Sequence, residues 1–501
     1  MQCIQPDQSE HYSDDLPTLP RTELGVVLVS GASGYIGGRL VPELMSRGYT
    51  VRVMARTESP ELREKWPGAE IVIADAFRPE TLDRAMEGVH TVYYLIHSLL
   101  LGPNQFESAD ILAALNFKEA AQKAQVKRII YLGGLGDTKT TLSPHLASRL
   151  KVAEELQKGS VPVTILRAAI IIGSGSASYE IIKHLVKNVP ILPIPPWAHT
   201  RCQPIAVRDV IKYLIGVLEV DDTIGKSYDI GGNDILTYEM MLKILAEVQG
   251  QKRIFFSMPL SSIPLYAYLV SLVTPVPHAI TRCLLDSSSH EVICHDTSIR
   301  QAIPFDPLGY KEAILRALSR EEQDSVRTRW SDAYPPAYEL AIKLRELNYR
   351  PRFVKSYSRL SSKSAAGLFA SFCSIGGSEG WFNSNWMWRL RGSVDRLLMG
   401  VGSSRGRKSL KSLTFNDVID FWRVEDIEKD SKLLLRAEMK LPGKAWLKFS
   451  IDPEGEARRL MVTAYYDTST LWGLAYWYMF LPFHHFIFID LLRQIDRRSN
   501  A

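Results

Sequence analysis

Short apolar runs alternate with amphipathic stretches over the first third of the chain. The runs are continuous rather than alternating in polarity, which is typical of parallel strands covered on both faces. Helical patterns such as the one over 106–125 lie between them. This rhythm predicts an α/β Rossmann fold with a doubly wound parallel sheet. The predicted strands are 24–30, 50–54, 69–75, 91–96, 127–132 and 161–167.

A different pattern follows a looser middle section and a proline-containing linker at 349–353. Successive strand patterns separated by turn signals predict an antiparallel sheet, and 470–497 predicts one long helix, bent or broken at Pro482. This second domain is therefore α+β. The predicted strands are 418–427, 432–440, 445–451 and 459–466. The predicted division is a flexible tail over 1–22, a Rossmann domain with a substrate lobe over 23–350, and the α+β domain over 353–501.

Composition narrows the class of protein. Hydrophobic residues make up 46% and charged residues 23% of the chain, as in soluble globular proteins, which excludes a mainly disordered or fibrous chain. The net charge of +5 is too small to imply a chain-wide affinity for nucleic acid. The five cysteines form no C-x-x-C pair, so we expect neither a disulfide framework nor a metal site. The acidic first 22 residues lack an apolar signal core, which favours a cytoplasmic location.

The stretch 468–489 has two interpretations. It contains 22 residues without Asp, Glu, Lys or Arg, close to the about 20 that a membrane span needs. It also contains Pro482, His484 and His485, which favours a core or amphipathic helix. Membrane association through 468–489 stays open as the alternative.

The segment 355–411 is basic and rich in tryptophan, with ten basic and two acidic residues. One interpretation is a nucleic-acid surface on which tryptophans stack with bases. The other is a helix whose tryptophan face packs inward. We favour the second, because the neighbouring sheet supplies an apolar face to cover, and we expect no nucleic-acid partner.

The sharpest motif is the glycine pattern G-x-x-G-x-x-G over 31–37, which lies between the first predicted strand and a helix. Glycines allow a tight turn and let a diphosphate approach the backbone, and the free N–H groups of the helix start then face the anion. Its position at the first strand–helix junction supports a dinucleotide site. The predicted cofactor-binding residues here are Gly31, Ser33, Gly34, Tyr35, Ile36 and Gly37.

The end of the second strand indicates which dinucleotide is bound. NAD-binding proteins usually place an acidic residue there, but 49–57 contains none and has Arg56 at the strand exit. A guanidinium there would pair with a 2′-phosphate, a contact worth about 1.5–3 kcal/mol. We therefore expect NADP(H) to be preferred over NAD(H). Asp75 and Ala76, after the third strand, are predicted to meet the adenine.

These motifs resemble the short-chain dehydrogenase/reductase superfamily in its extended and atypical, NmrA-like branch. The landmarks are the 31–37 loop, Asp75 and the Val-Arg-Asp-Val sequence at 207–210, and the resemblance covers about 24–330. It implies a catalytic Tyr, a Lys four residues later and a Ser after the fifth strand. By position, His145 replaces the Tyr and Arg149 the Lys.

The departures from the family pattern leave the reaction open. Gly133 and Gly134 stand where the Ser is expected. An arginine beside His145 favours the neutral imidazole, which still acts as a base. His145 and Arg149 are therefore the candidate catalytic residues, although the usual Ser, Tyr and Lys are all missing.

The second domain also resembles a family. The motifs are 93–98 in the first domain and 376–382, 420–424 and 435–443 in the last. Together they are similar to an uncharacterised family that joins an atypical NAD(P)-binding domain to a domain of the START/polyketide-cyclase, or helix-grip, type. That resemblance implies a curved sheet around a long terminal helix, with a cavity for a small apolar ligand.

Two functions follow from the sequence. The first is an NADP(H)-dependent oxidoreductase acting on an apolar carbonyl, quinone or lipid-like substrate. The alternative is an NADP(H)-binding sensor or scaffold without turnover, which the missing catalytic residues favour.

Overall fold

Two compact units make up the chain. One comprises Met1–Val273 and Ala279–Pro336, and the other comprises Thr274–His278 and Ala337–Ala501. The computed structural model describes residues 11–56, 60–97, 106–136, 143–259, 262–322, 326, 328–333, 344, 347, 349–377, 380–402, 405 and 413–499.

A seven-stranded parallel sheet forms the centre of the first unit. Its first six strands are β1 Val26–Val29, β2 Val51–Ala55, β3 Glu70–Ile73, β4 Val89–Tyr94, β5 Arg128–Gly134 and β6 Val163–Ala168. The helices between them are α1 Gly37–Ser46, α2 Pro60–Lys65, α3 Pro79–Met86, α4 Phe106–Lys123 and α5 Pro144–Gln157. Each of the six strands overlaps one of the predicted apolar runs.

Shorter elements continue the first unit. They are β7 Ile171–Ile172, α6 Ala177–Asn188, β8 Ile191–Ile194, β9 Arg201–Cys202, β10 Ile205–Ala206, α7 Val207–Glu219, β11 Ser227–Ile230, β12 Leu236–Thr237, α8 Tyr238–Val248, β13 Ile254–Ser257, α9 Ile263–Val273, α10 His278–Ser287, α11 Ile299–Ala302 and α12 Tyr310–Glu322. Strand β11 completes the large sheet, whose order is β11-β6-β5-β4-β1-β2-β3. The order reverses at β1 and β4, and ligands of such sheets bind at that point, beyond the carboxyl ends of the strands.

Both faces of this sheet are buried, which explains the continuous apolar runs. Val27 and Val29 of β1 join one core cluster, whereas Leu28 between them joins the other. Tyr93 and Tyr94 of β4 divide in the same way. Successive side chains of a strand point to opposite faces, so a strand between two helical layers is apolar at every position.

Residues 11–22 differ from the expected flexible tail because they pack on the first unit. Tyr12 and Leu16 are buried in the core, four residues apart. The Ser13 amide and hydroxyl both donate to the carboxylate of Glu43 on α1, at 3.0 and 2.9 Å. The buried Glu43 carboxylate thus gains partners that a loose tail would not supply.

The second unit contains a six-stranded antiparallel sheet with the order β14-β19-β18-β17-β16-β15. Its strands are β14 Phe353–Ser361, β15 Val418–Ile419, β16 Trp422–Glu428, β17 Lys432–Ala437, β18 Lys444–Glu454 and β19 Ala457–Asp467. Its helices are α13 Ala365–Cys373, α14 Asn385–Leu397 and α15 Leu471–Arg498. The prediction of a Rossmann domain followed by an α+β domain is therefore confirmed.

Strand β14 is the element that the sequence analysis missed, since it placed a linker up to residue 353. It lies at the sheet edge, paired with β19 from Phe353↔Tyr466 to Ser361↔Arg458. Five of its nine residues are exposed, and four of these five are polar or charged, so its apolar signal is weak.

Helix α15 is continuous through Pro482, and Thr470 caps it by accepting from the Gly473 amide at 3.0 Å. Trp477 stacks on Tyr466 of β19, with ring centroids 5.6 Å apart, so the helix packs on the sheet. The helix-grip resemblance, with its apolar ligand, stays a prediction. Within the described residues, every helix falls short of the length or apolar character that crossing a bilayer requires.

Candidate functional site

The glycine loop follows β1 and leads directly into α1. Gly31 has a φ of +67°, and a Cβ there would lie 2.5 Å from the carbonyl oxygen of Leu95. A Cβ at Gly37 would lie 2.5 Å from the carbonyl oxygen of Gly31. At Gly34 the nearest atom would be 3.2 Å away, and Ser33 is exposed. The loop is thus closed against the strand on one side and bare on the other, which fits a diphosphate.

Tyr35 differs from the rest of the loop because its side chain is used in packing. The Arg39 guanidinium lies 4.2 Å from the Tyr35 ring centroid. Burial raises the pKa of Tyr35 to about 12, so its hydroxyl stays neutral. We therefore expect the Tyr35 backbone amide, rather than the phenol, to face a phosphate.

The predicted adenosine-binding residues lie at the same edge of the sheet. Ala55 of β2 pairs with Ile73 of β3, so the chain segments after both strands are neighbours. Arg56 is exposed immediately after β2. The Asp75 carboxylate accepts from the Phe77 amide at 3.0 Å, which fixes the turn after β3.

Ala76 is buried, and its carbonyl oxygen accepts from the Asn116 side chain at 2.8 Å. The Ala76 carbonyl is therefore already engaged within the protein. Asp75 is only partly buried, which leaves it as the more accessible of the two predicted adenine contacts.

A cluster of two histidines, an aspartate and an arginine lies on the β4 side of the point where the strand order reverses. His97 follows β4, and its Nδ1 lies 3.0 Å from Oδ2 of the buried Asp110 on α4. The His145 ring on α5 lies 5.1 Å from the His97 ring, between centroids. Arg149, one turn further along α5, stands 4.8 Å above the Tyr131 ring.

Local sequence places the α5 members of this cluster. Ser143 caps the helix by accepting from the Leu146 amide at 3.3 Å, and Pro144 occupies the first turn. His145 and Arg149, four residues apart, then share one helix face. A Cβ at Gly134 would lie 2.9 Å from Leu146 Cδ2, so this helix leaves little room for a serine there.

The electrostatics keep both histidines neutral near pH 7. Burial lowers the pKa of His145 well below its usual value, and His97 and Arg149 add smaller effects. Burial also lowers the pKa of His97, and Arg149 contributes, whereas the hydrogen bond that His97 donates to Asp110 opposes the shift. The sequence analysis attributed the neutral imidazole to Arg149, but desolvation is the larger cause.

Several buried polar atoms of this cluster find no hydrogen-bond partner among the described residues. They are Tyr94 Oη, His97 Nε2, His145 Nδ1 and Arg149 Nη1. Buried polar groups are normally satisfied, so a group of such atoms at a sheet edge indicates a place for a ligand. His97 and Asp110 carried no role in the sequence analysis. The rule that carboxyl ends of neighbouring parallel strands meet at one edge would have indicated His97.

The aspartate of the Val-Arg-Asp-Val sequence at 207–210 has a structural role. Asp209, near the start of α7, is buried and its Oδ2 accepts from the Leu308 amide at 2.8 Å. Burial raises the pKa of Asp209 to about 6. The carboxylate thus holds the loop before α12.

Comparison with known families defines the class of the first unit. Residues 31–188 match the family described as NAD(P)H-binding, and residues 349–490 match the protein of unknown function family DUF2867. Together with the sheet order and the glycine loop, the first match shows that the first unit is an NAD(P)-binding domain with an oxidoreductase-like fold.

Individual relatives are distant. The photosystem II assembly factor Ycf39 of Trieres chinensis is 24% identical over 251 residues, 50% of this chain and 75% of that protein. The ceramide reductase of Caulobacter vibrioides is 26% identical over 247 residues, 47% of this chain and 74% of that protein. The solved triphenylmethane reductase of Citrobacter sp., complexed with NADP(H), is 21% identical, covers 58% of this chain and 99% of its own, and has a TM-score of 0.48. These relatives leave the substrate open.

Proposed function

We propose that the chain is an NADP(H)-dependent oxidoreductase acting on an apolar carbonyl, quinone or lipid-like substrate. The observation that carries the proposal is the juxtaposition of His97, Asp110, His145 and Arg149 beside the glycine loop. The NAD(P)H-binding match supports the cofactor class, and a relative named as a ceramide reductase supports a lipid-like substrate. We place the protein in the cytoplasm.

Gly31, Gly34 and Gly37 would hold the diphosphate, and Arg56 would pair with the 2′-phosphate of NADP(H). When bound, the reduced nicotinamide supplies a hydride. Reduction of a carbonyl group adds that hydride to carbon and a proton to oxygen, so the protein has to supply the proton.

His97 is the proposed proton donor. Its Nδ1 faces the Asp110 carboxylate, which fixes the tautomer and stabilises the imidazolium. In the protonated ring, Nε2 is then the atom that delivers the proton, and it is buried without a partner among the described residues. General acid catalysis of this kind typically contributes about 10²–10⁴-fold to the rate.

Arg149 and His145 have supporting roles in the proposal. Arg149 Nη1, also buried and without a described partner, would stabilise negative charge developing on the substrate oxygen. His145 would line the same space as a neutral hydrogen-bonding group. In this proposal His145 contacts the substrate but does not transfer the proton, which is a narrower role than the catalytic one predicted from the sequence.

The test is NADPH oxidation by the full chain across a panel of aldehydes, ketones and quinones, for wild type, His97→Ala and His145→Ala. We expect His97→Ala to lower kcat and His145→Ala mainly to raise KM. Turnover that survives His97→Ala unchanged would remove the proposed donor.

A sensor or scaffold that binds NADP(H) without turnover is the second candidate. The replacement of Tyr, Lys and Ser by His145, Arg149 and Gly134 favours it. Tight NADPH binding by calorimetry, with no oxidation of NADPH over the whole panel, would support this alternative over the first.

A further inference from the structure

Two helices of the second unit carry apolar side chains that are exposed to solvent on one helix face. On α14 the exposed residues Trp386, Leu390 and Val394 are spaced by four positions each, which puts them on one face. Trp386 is 64% and Leu390 58% exposed. The opposite face is internal, where Trp388 stacks on Trp381 with centroids 4.5 Å apart.

Helix α15 repeats this arrangement. Trp472, Met479, Phe483 and Phe486 lie on one exposed face, and Trp472 is 82% and Phe486 72% exposed. Trp477 belongs to the opposite face and packs on the sheet. Singly exposed apolar residues are ordinary, but large aromatic side chains in a helical stripe indicate an interaction surface.

Contacts between the two helices show how these faces are combined. Asn383, just before α14, donates to Asp490 at 3.2 Å, and Arg391 lies 3.4 Å from the Tyr476 hydroxyl. The start of α14 therefore lies near the later part of α15, and the middle of α14 lies near the first turns of α15. The two helices run in opposite directions. Successive residues of a helix are rotated by 100°. By this rotation, Arg391 lies beside the exposed face of α14 and Tyr476 beside that of α15, on the same side in both helices. Antiparallel helices joined at these edges present both faces on the same side.

The charged residues around this surface indicate the chemistry of its binding partner. All exposed charged residues of α14 and α15 are arginines, namely Arg389, Arg493, Arg497 and Arg498. The aspartates of these helices are not exposed. Asp395 is buried, Asp490 accepts from Asn383, and Asp496 accepts from Arg359 at 2.9 Å. The surface is thus apolar with a cationic border, and it complements a layer of anionic headgroups over hydrocarbon.

We propose that this paired face of α14 and α15 attaches the protein to anionic lipid membranes, with both helices lying in the interface. Tryptophan and tyrosine favour that depth, since their rings are apolar and their tips polar. The helices would lie on the bilayer without spanning it, in agreement with the hydropathy of the described helices. The inference is independent of the proposed oxidoreductase activity.

Co-sedimentation of the full chain with vesicles tests the inference. Vesicles of phosphatidylcholine mixed with phosphatidylserine should retain the protein, and phosphatidylcholine alone should retain much less. The variant Trp472→Ser/Phe486→Ser should lose at least about tenfold in partitioning, because two large apolar side chains no longer enter the interface. The matched control Leu19→Ser/Phe256→Ser changes exposed apolar residues of the first unit and should partition like wild type.

The arginines provide an independent test. Arg493→Gln/Arg497→Gln should reduce binding to the anionic vesicles by about fivefold per arginine and leave binding to neutral vesicles unchanged. NADPH affinity should match wild type in every variant, which separates this inference from the proposed activity. The circular dichroism spectrum should also match wild type, which reports that the second unit is folded. Equal partitioning of wild type and Trp472→Ser/Phe486→Ser would overturn the proposal. So would lipid-independent dimerisation that this variant abolishes, since the face would then bind a second copy.

Discussion

The two halves of the candidate site differ in what builds them. The diphosphate half is made of backbone, and its residues are consecutive between β1 and α1. The histidine half is made of side chains from β4, α4 and α5, brought together by the sheet order β5-β4-β1. A backbone site is recognisable from one short motif, whereas a side-chain site depends on neighbours distant in sequence. Mutations should therefore separate binding of the dinucleotide from turnover.

The sharpest separation is expected from His97→Ala. Loss of the proposed proton donor should lower kcat by about 10²–10⁴-fold. The dissociation constant for NADPH should stay at the wild-type value, because the glycine loop is untouched. Steady-state kinetics and calorimetry on the same preparation measure both quantities.

His199→Ala is the matched control for this variant, since His199 is half exposed and pairs with Glu239 at 3.2 Å. It should leave kcat and NADPH affinity as in wild type. A parallel loss of NADPH affinity in His97→Ala would contradict the division of the site into two halves.

Gly31→Ala should mainly weaken the binding of NADPH, in contrast to His97→Ala, which should mainly lower kcat. Gly250→Ala is its control. Both glycines have a positive φ, at +67° and +65°, so both variants carry the same backbone strain of about 1 kcal/mol. Only at Gly31 does the new Cβ meet backbone, because nothing lies within 4 Å at Gly250.

Displacing the loop should cost about two charge-assisted hydrogen bonds to the diphosphate, or about 10²–10⁴-fold in NADPH affinity by calorimetry. Gly250→Ala should bind NADPH like wild type and lose less thermal stability than Gly31→Ala, because its new Cβ meets no other atom. Equal NADPH affinity in the two variants would show that the loop does not hold the diphosphate.

The sequence predicted the sheet and the glycine loop because both depend on local patterns. The six apolar runs each coincide with a strand, and G-x-x-G-x-x-G lies where the turn requires it. His97 was not assigned a role, because its partner Asp110 is thirteen residues away on α4, and the sequence pattern does not show which side chains of that helix meet the end of β4. Edge strand β14 was missed for a related reason, since its polar exposed side chains give no apolar signal.

Arg56→Ala tests the adenosine end, with a smaller expected effect. Loss of the proposed contact with the 2′-phosphate should weaken NADPH binding by about tenfold to a hundredfold and leave NADH binding unchanged. The control is Arg201→Ala, an exposed arginine that pairs with Glu291 at 2.7 Å. Equal affinities of the wild type for NADPH and NADH would remove the proposed preference.

The pH profile distinguishes a histidine donor from the tyrosine of typical family members. Burial lowers the folded-state pKa of His97 below its usual value of about 6.5, so the protonated form is depleted above that pH. The kcat/KM for reduction should then fall by about tenfold per pH unit above the His97 pKa and level off below it.

Asp110→Asn should move this profile to lower pH, because the Asp110 carboxylate opposes the effect of burial on the His97 pKa. The reverse reaction, oxidation of an alcohol, should instead rise with pH and level off above the same pKa, since neutral His97 then accepts the proton. A tyrosine donor has a pKa of about 10 and would give a flat profile for reduction across neutral pH. A flat profile in wild type would therefore assign the proton to another group and leave His97 a binding role only.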